Sequence, residues 1–259
     1  MNRRPPLVLL IPAAVGALFL TLPVLGLLQR MPWSGLGGLL SREIVVDALG
    51  LSAVVSLSAA ALAVVLGVPL AHLLAHHDFP GRSALRAIVL LPMVLPPVVG
   101  GVALLFALGR RGLVGQWLDR WFGLALPFTT AGAIVAATFV ALPFLVITVD
   151  GALRSRDDGL EEAAALLGAG PLTRFFRITL PAIRPALIGG IALAWARALG
   201  EFGATITFAG NFPGRTQTLP LATFLALEQD PEAALALSLV LLVISFTVLV
   251  SLRDRWYPR

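Results

Sequence analysis

The chain has 259 residues, a formal net charge of +5, and neither cysteine nor lysine. Hydrophobic residues make up 58% of it, and its mean hydropathy is +0.92, whereas soluble domains are about 45–50% apolar. Without cysteine there are no disulfides, thiol nucleophiles or Cys-ligated metals. Without lysine there is no Walker A motif, so an ATP-driven machine would need a separate ATP-binding subunit. The composition indicates a membrane protein that does not bind nucleic acid.

Long apolar runs divide the chain. Five of them carry no Asp, Glu or Arg, and a sixth contains only Arg197 and Glu201. Each is long enough to cross the hydrocarbon core as a helix, which takes roughly 20 residues. We therefore predict an all-α polytopic membrane protein with one domain, residues 1–259. The six predicted spans are 7–28, 48–72, 87–108, 131–149, 186–206 and 233–252.

The first run follows Arg3 and Arg4 as a signal peptide would. Its apolar stretch is too long for a signal peptide and no A-x-A site follows, so we expect a retained helix. With an even number of spans, both termini lie on one side. If that side is the cytoplasm, it holds twice as many arginines as the outer side. The positive-inside rule therefore places both termini in the cytoplasm.

The third predicted span contains three prolines, Pro92, Pro96 and Pro97, followed by Val98 and a glycine pair. Each proline lacks an amide donor and clashes with the preceding turn. In lipid, the carbonyls that lose their partners must be satisfied by protein or by water in a cavity. Pro96, Pro97 and Val98 are thus candidates for a hinge that lines a translocation path. The alternative is a kink that serves packing alone.

The fifth predicted span carries an ionisable pair close to two glycines. Arg197 and Glu201 are spaced i, i+4, so they can pair on one helix face. Ionisable residues inside a membrane are expensive and mark functional sites by default. Together with Gly200, Phe202 and Gly203 they are candidates for the path or its gate. A pair that neutralises itself and has only a structural role explains the two charges equally well.

The polar segment 150–184 separates the fourth and fifth spans and is predicted to lie in the cytoplasm. Asp158 with Glu161 three residues later fits a capping box. An apolar face at helical spacing follows, and Gly168 and Pro171 then end the helix. A second short helix is expected up to Pro181. Two short helices joined by a glycine turn would form a rigid knob able to transmit force to the fifth span. The alternative is an ordinary amphipathic loop helix.

The outer loop before the last span is rich in turn-forming and hydrogen-bonding residues. Its candidate residues are Arg215, Thr216, Gln217 and Thr218. The hydroxyls and amide could donate to an oxyanion, bind a receptor protein, or only shape the loop. Elsewhere, His76, His77 and Asp78 lack the further ligands of a metal centre and are interpreted as a solvated loop end. We predict no catalytic residue, metal or cofactor.

The cytoplasmic segment also resembles a known family. Its residues Glu162, Ala163, Ala164, Gly168, Ile178, Leu180 and Pro181 match the pattern E-A-A-x3-G-x9-I-x-L-P at every defined position. This is the EAA loop of ABC-importer permeases. The stretches 95–101, 197–204 and 213–220 are similar to those of the molybdate, tungstate and sulfate permease group. The resemblance covers about residues 45–252.

The resemblance implies an ABC-importer permease architecture in a bacterial or archaeal plasma membrane. It implies two permease copies, most simply a homodimer, around one central path. Two ABC ATPase subunits would receive the EAA-like loops, and an extracytoplasmic binding protein would deliver an oxyanion, molybdate first and sulfate, thiosulfate or tungstate as alternatives. Such a chain is a conduit without covalent chemistry.

Two other classes of protein are weaker fits. A secondary transporter usually shows internal repeats and a coupling site near mid-membrane, but no clear repeat is visible and Arg197–Glu201 is the one candidate pair. An intramembrane enzyme would need a nucleophile, acid–base groups or metal ligands that converge in the spans. No such cluster appears in the sequence.

Overall fold

The computed structural model describes residues 7–157 and 159–256, which are helical with short connections. A 3₁₀ turn at Trp33–Gly35 precedes α2, and a π turn at Phe175–Thr179 follows α9. The helices are α1 (Leu7–Gln29), α2 (Leu36–Leu40), α3 (Glu43–His76), α4 (Arg82–Val94), α5 (Pro97–Leu108), α6 (Gly115–Phe122), α7 (Thr130–Ser155), α8 (Gly159–Leu166), α9 (Pro171–Arg174), α10 (Leu180–Ala182), α11 (Arg184–Leu199), α12 (Gly203–Phe208), α13 (Leu219–Gln229) and α14 (Pro231–Trp256).

The helices α3, α7 and α11 form the centre of the bundle. Their contacts are built from alanines without exposed surface, among them Ala59, Ala63, Ala137 and Ala194. Small residues let helix backbones approach closely in a membrane, where the hydrophobic effect does not drive helices together. A smaller cluster joins α5, α7 and α12 around Leu104 and the fully buried Phe208.

Four of the described helices are long and apolar enough to cross a membrane: α1, α3, α7 and α14. The bent pair formed by Pro171–Ala182 and Arg184–Leu199 would add a fifth. The prediction of an all-helical membrane protein is confirmed, whereas the count of six crossings stays a prediction. Within the described chain, α1 buries none of its apolar window.

The third predicted span, 87–108, was expected to be a helix with a hinge or kink, and the structure interrupts it more completely. The structure has two helices there, α4 and α5, separated at Leu95 and Pro96. Leu95 has φ −65° and ψ 135°, the extended conformation that a following proline imposes. Pro97 begins α5 at a position where its missing N–H costs nothing. The prolines therefore divide the span rather than kink it.

The fifth predicted span, 186–206, is likewise divided into α11 and α12, with Gly200, Glu201 and Phe202 between them. Other boundaries also differ from the prediction. The second span begins at Glu43 instead of residue 48, and α13 occupies a region where no helix was predicted. The segment between the third and fourth spans contains α6, which is eight residues long.

Some predictions fall on residues outside those described. These are the arginines Arg3, Arg4 and Arg259, and the helix cap Asp158. Beside the last of these, the backbone N–H of Gly159 donates to Asp157 Oδ1 over 3.0 Å.

Candidate translocation path and coupling surface

The two broken spans meet at their breaks. A Cβ atom built on Gly203 would lie 2.7 Å from Pro97 Cβ and 3.2 Å from Val98 N. One on Gly101 would lie 2.7 Å from Thr207 Cβ and 2.8 Å from the Ala204 carbonyl oxygen. Both positions leave no room for a side chain, so α5 and α12 contact each other through backbone. This contact, residues 97–101 against 203–207, is called the glycine seam below.

The path candidates therefore fall into one region, assembled from two segments about 100 residues apart in the chain. Pro96, Pro97 and Val98 are exposed on the single chain, as is Gly200. Phe202 is half-buried, and its ring lies 5.2 Å from that of Phe224 on α13. Non-helical backbone at membrane depth is tolerated where it is buried in protein or lines a water-filled cavity. The two breaks thus have the placement that a path wall requires.

Arg197 and Glu201 form the ion pair that their spacing predicts, with Nη1 and Oε2 2.6 Å apart. The Glu201 side chain is 1% exposed and that of Arg197 is 27% exposed. The second carboxylate oxygen, Oε1, accepts the backbone N–H of Ala204 over 2.7 Å. Glu201 therefore joins the end of α11 to the start of α12. Sequence reasoning missed this second bond because it treated the span as continuous.

The knob, defined here as residues 159–182, has the predicted form of two short helices joined by a glycine turn. Gly168 has φ +83°. Its N–H donates to the Ala165 carbonyl over 3.0 Å, and the Ala169 N–H donates to that of Ala164 over 2.9 Å. These two bonds are the Schellman arrangement that ends a helix at a left-handed glycine.

The knob presents an apolar surface that the rest of the described chain leaves uncovered. Leu166 and Leu167 are each 89% exposed, and Leu160, Leu172 and Phe176 are also exposed. Of the motif residues, Glu162, Ala163, Gly168 and Pro181 are exposed, while Ala164, Ile178 and Leu180 are half-buried. Contiguous exposed apolar surface of this kind marks interaction sites. The exposed leucines give the knob the apolar surface that a docking site needs.

Glu161 holds the two halves of the knob together. Its Oε2 accepts a hydrogen bond from Thr179 Oγ1 over 2.8 Å and forms an ion pair with Arg156 at the end of α7. Burial alone would raise the pKa of Glu161, but the hydrogen bonds from Arg156 and Thr179 outweigh it and keep that pKa below its usual value. The carboxylate is therefore charged at neutral pH. In addition, the Phe175 ring lies 5.2 Å from that of His72, which ties the knob to α3.

The outer-loop candidates divide between exposed and buried positions. Arg215 is exposed, whereas Thr216, Gln217 and Thr218 are buried. Thr216 Oγ1 accepts the N–H of Phe212 over 2.9 Å, and the Arg215 carbonyl accepts from Thr130 Oγ1 over 2.8 Å. These bonds favour the loop-shaping role for Thr216.

Three arginines converge at the C-terminal end of α3, a cluster that the sequence analysis did not single out. Arg82, Arg86 and Arg154 all donate to the carbonyl oxygen of Leu74, with distances of 2.5–3.2 Å. Asp150 pairs with Arg86 and Arg154. Carbonyls in the last turn of a helix have no partner within the helix, so the arginines satisfy them. The i, i+4 spacing of these charges was the available signal.

The sequence matches a known family. The profile described as the binding-protein-dependent transport system inner membrane component matches residues 63–258. The chain belongs to this family. It is therefore a permease subunit, the non-catalytic membrane component of an ABC transporter.

Similar proteins extend this result over nearly the whole permease. It is 44% identical to the molybdenum transport system permease protein ModB of Mycobacterium tuberculosis over 95% of this chain and 92% of that protein. The ModB of Escherichia coli K12 is 42% identical over 79% of this chain and 91% of its own. A probable sulfate transport system permease protein, cysT of Marchantia polymorpha, is 35% identical over 90% and 82% respectively.

Solved structures show the same fold at lower identity. A chain of a bacterial ABC transporter that imports alginate superposes with a TM-score of 0.71 at 21% identity, covering 95% of this chain and 94% of that one. A chain of the MetNI methionine ABC transporter gives 0.58 at 19% identity, covering 82% and 96%. The ABC-importer permease fold is therefore confirmed.

Proposed function

We propose that this permease forms the translocation path of an ATP-driven oxyanion importer, with molybdate as its main substrate. The coupling role is proposed from the knob, whose exposed leucines lie on both sides of the turn at Gly168. The motif at residues 162–181 occupies this surface. The substrate is proposed from the ModB relatives, which share more identity with this chain than the cysT relatives do.

The proposed topology has six crossings with both termini in the cytoplasm. Four crossings are the helices α1, α3, α7 and α14. The other two are the broken spans α4–α5 and α11–α12. The break in each span lies beside the glycine seam, where the two spans contact each other. This arrangement places the knob between the fourth and fifth crossings on the cytoplasmic side. The arginine excess on that side supports it.

The proposed assembly contains two copies of this chain, two ABC ATPase subunits and one extracytoplasmic binding protein. The apolar length of α1 faces lipid or the second copy, because it has little contact with its own bundle. The knobs fit the ATPase subunits, and the Pro96–Val98 and Gly200–Gly203 segments line the path at the two-fold axis. ATP is bound by the partner, since this chain has no lysine for a Walker A motif.

Uptake by reconstituted vesicles tests the proposal. The permease, its ATPase and its binding protein are reconstituted, and uptake of labelled molybdate is measured with and without ATP. We expect uptake that requires ATP, the ATPase and the binding protein, with sulfate a weaker competitor than tungstate. Uptake driven by an ion gradient without the ATPase would show a secondary transporter instead. Preferential sulfate uptake would refute the substrate while leaving the permease role intact.

A further inference from the structure

A cavity of about 600 Å³ lies at the end of the glycine seam, and none of the path residues lines it. Its walls include Leu105 of α5, Leu124 and Phe128, together with Arg110 and Arg215. Both arginines are exposed, and they come from loops about 100 residues apart. The fold thus brings two permanently charged cations to one concave surface.

The position of the cavity relates it to the proposed path. Leu105 follows Gly101 by one helical turn, so the two residues share a face of α5, and Gly101 contacts α12. The loop that carries Arg215 is fixed to the start of α7, since Thr130 Oγ1 donates to the Arg215 carbonyl. In the proposed topology this end of the seam faces outward. The cavity therefore opens directly above the path wall.

The opposite side of the same outer loop has the reverse charge. A cavity of about 340 Å³ there is lined by Glu43 and Asp47 of α3, with Pro213 and Gln217 from the loop. Two carboxylates on adjacent turns of one helix repel an anion. The loop thus separates a basic cavity from an acidic one.

We infer that the basic cavity is an outer vestibule, which draws the oxyanion released by the binding protein to the head of the path. The inference rests on the proposed function and assigns the cavity to tetrahedral oxyanions as a class. A volume of about 600 Å³ has room for such an anion together with many waters, and both arginines are exposed. Clefts of one charge sign raise local counter-ion concentration and rates by about tenfold or more, and salt weakens the effect. Steering without tight capture also suits a path that must release the anion.

The first test measures the potential in each cavity independently of transport. Because the chain has no cysteine, Leu124→Cys in the basic cavity and Pro213→Cys in the acidic one report single sites. Each variant, in the complete transporter in phosphatidylcholine vesicles, reacts with an anionic sulfonate and a cationic trimethylammonium thiosulfonate reagent. We expect the anionic-to-cationic rate ratio to be about tenfold higher at position 124 than at 213 in low salt. When Arg110→Gln and Arg215→Gln are both introduced into each cysteine variant, the difference should disappear. The control substitution Arg30→Gln should leave it unchanged.

The second test measures molybdate uptake by the same vesicles. The double variant Arg110→Gln with Arg215→Gln should lower initial uptake about fivefold in low salt, and the deficit should shrink at high salt. The charge-conserving double variant Arg110→Lys with Arg215→Lys should keep most of the rate. The affinity of the molybdate-loaded binding protein for the vesicles should stay unchanged in both.

Several results would overturn the inference. Equal rate ratios at positions 124 and 213 would refute the vestibule. Normal low-salt uptake by the glutamine double variant would refute it as well. A weakened affinity of the binding protein would make the cavity a docking site for acidic protein side chains. A preference lost only when phosphatidylglycerol is added would assign the cavity to lipid phosphate. If the wild type takes up no molybdate, tungstate or sulfate, the proposed function is refuted, and so is the role of the cavity in import. A labelling preference that remained would then show only that the cavity attracts anions.

Discussion

At the scale of single residues, Glu201 has the most connected side chain in the broken fifth span. One of its carboxylate oxygens pairs with Arg197 and the other accepts the N–H of Ala204. The carboxylate thus neutralises the charge of Arg197 near the end of α11. It also accepts a hydrogen bond from a backbone N–H in the first turn of α12. An ion pair and a helix cap are combined in one group, which explains how a charged residue is accommodated in an apolar span.

Substitutions at these two positions separate the pair from the cap. Arg197→Ala leaves a buried carboxylate with a single partner, and breaking a buried pair in this way costs about 3–5 kcal/mol. Glu201→Ala loses both bonds but leaves a partly exposed arginine. We expect Arg197→Ala to lower the yield of folded protein most, and the double alanine variant to recover part of it. Detergent-solubilised yield by fluorescence size-exclusion chromatography measures this.

The matched control is Glu201→Gln, which keeps an acceptor for Ala204 but no charge. It should fold better when combined with Arg197→Ala than Arg197→Ala does alone. If the double alanine loss equals the sum of the two single losses, the residues act independently and the pairing account fails.

At the scale of elements, the knob shows how a local rule produces a surface. A left-handed glycine ends α8, and the chain then turns into α9 so that both helices present their leucines on the outside. Glu161 closes the arrangement from within through Thr179 and Arg156. The knob is consequently cross-linked at its base and apolar at its exposed surface.

The Gly168 turn can be tested at a position with open space around it. Apart from the chain neighbours, no described atom lies within 4 Å of a Cβ built at Gly168, whose φ is +83°, so the expected effect of Gly168→Val is backbone strain. A β-branched residue is a genuine outlier at positive φ. We expect normal membrane insertion but ATPase co-purification reduced about tenfold, measured by pull-down from solubilised membranes.

Gly170→Val is the matched control for this change. Gly170 also has open space around it, but its φ of −65° and ψ of 159° suit any residue. It should co-purify the ATPase nearly as well as the wild type. Equal loss in both variants would mean that added bulk, rather than the turn, disturbs docking.

The elements also show what could be predicted from the sequence. The knob, its glycine turn and the Arg197–Glu201 pair follow local rules of spacing and conformation, and the structure agrees with them. The break at Leu95–Pro96 was predicted only as a kink, and the break at Gly200–Phe202 was not predicted. Whether a proline or glycine bends a helix or divides it depends on contacts with other helices, and the glycine seam is such a contact between distant parts of the chain. α13 was missed because it is short and packs on α3 and α14 instead of following a membrane-length run.

At the scale of the whole molecule, a continuous run of packed helices connects the knob to the glycine seam. The knob continues through α10 into α11, with a bend of 76° between the two parts. α11 packs on α3 and α7 and ends at the Glu201 cap, beyond which α12 contacts α5. Interiors packed this closely transmit displacement rather than absorb it. Movement of the knob is therefore expected to shift the seam.

Cysteines introduced at Val98 and Phe202 test this connection, because the chain has no cysteine of its own. Val98 is exposed on the single chain and Phe202 is half-buried against Phe224. In the assembled transporter, both positions should react with a water-soluble thiol reagent, and their rates should change several-fold when ATP binds the partner. Phe19→Cys on the apolar α1 is the control and should not react in either state, since thiolates do not form in lipid. Labelling at 98 and 202 that is absent, or identical with and without ATP, would place the gate away from the glycine seam.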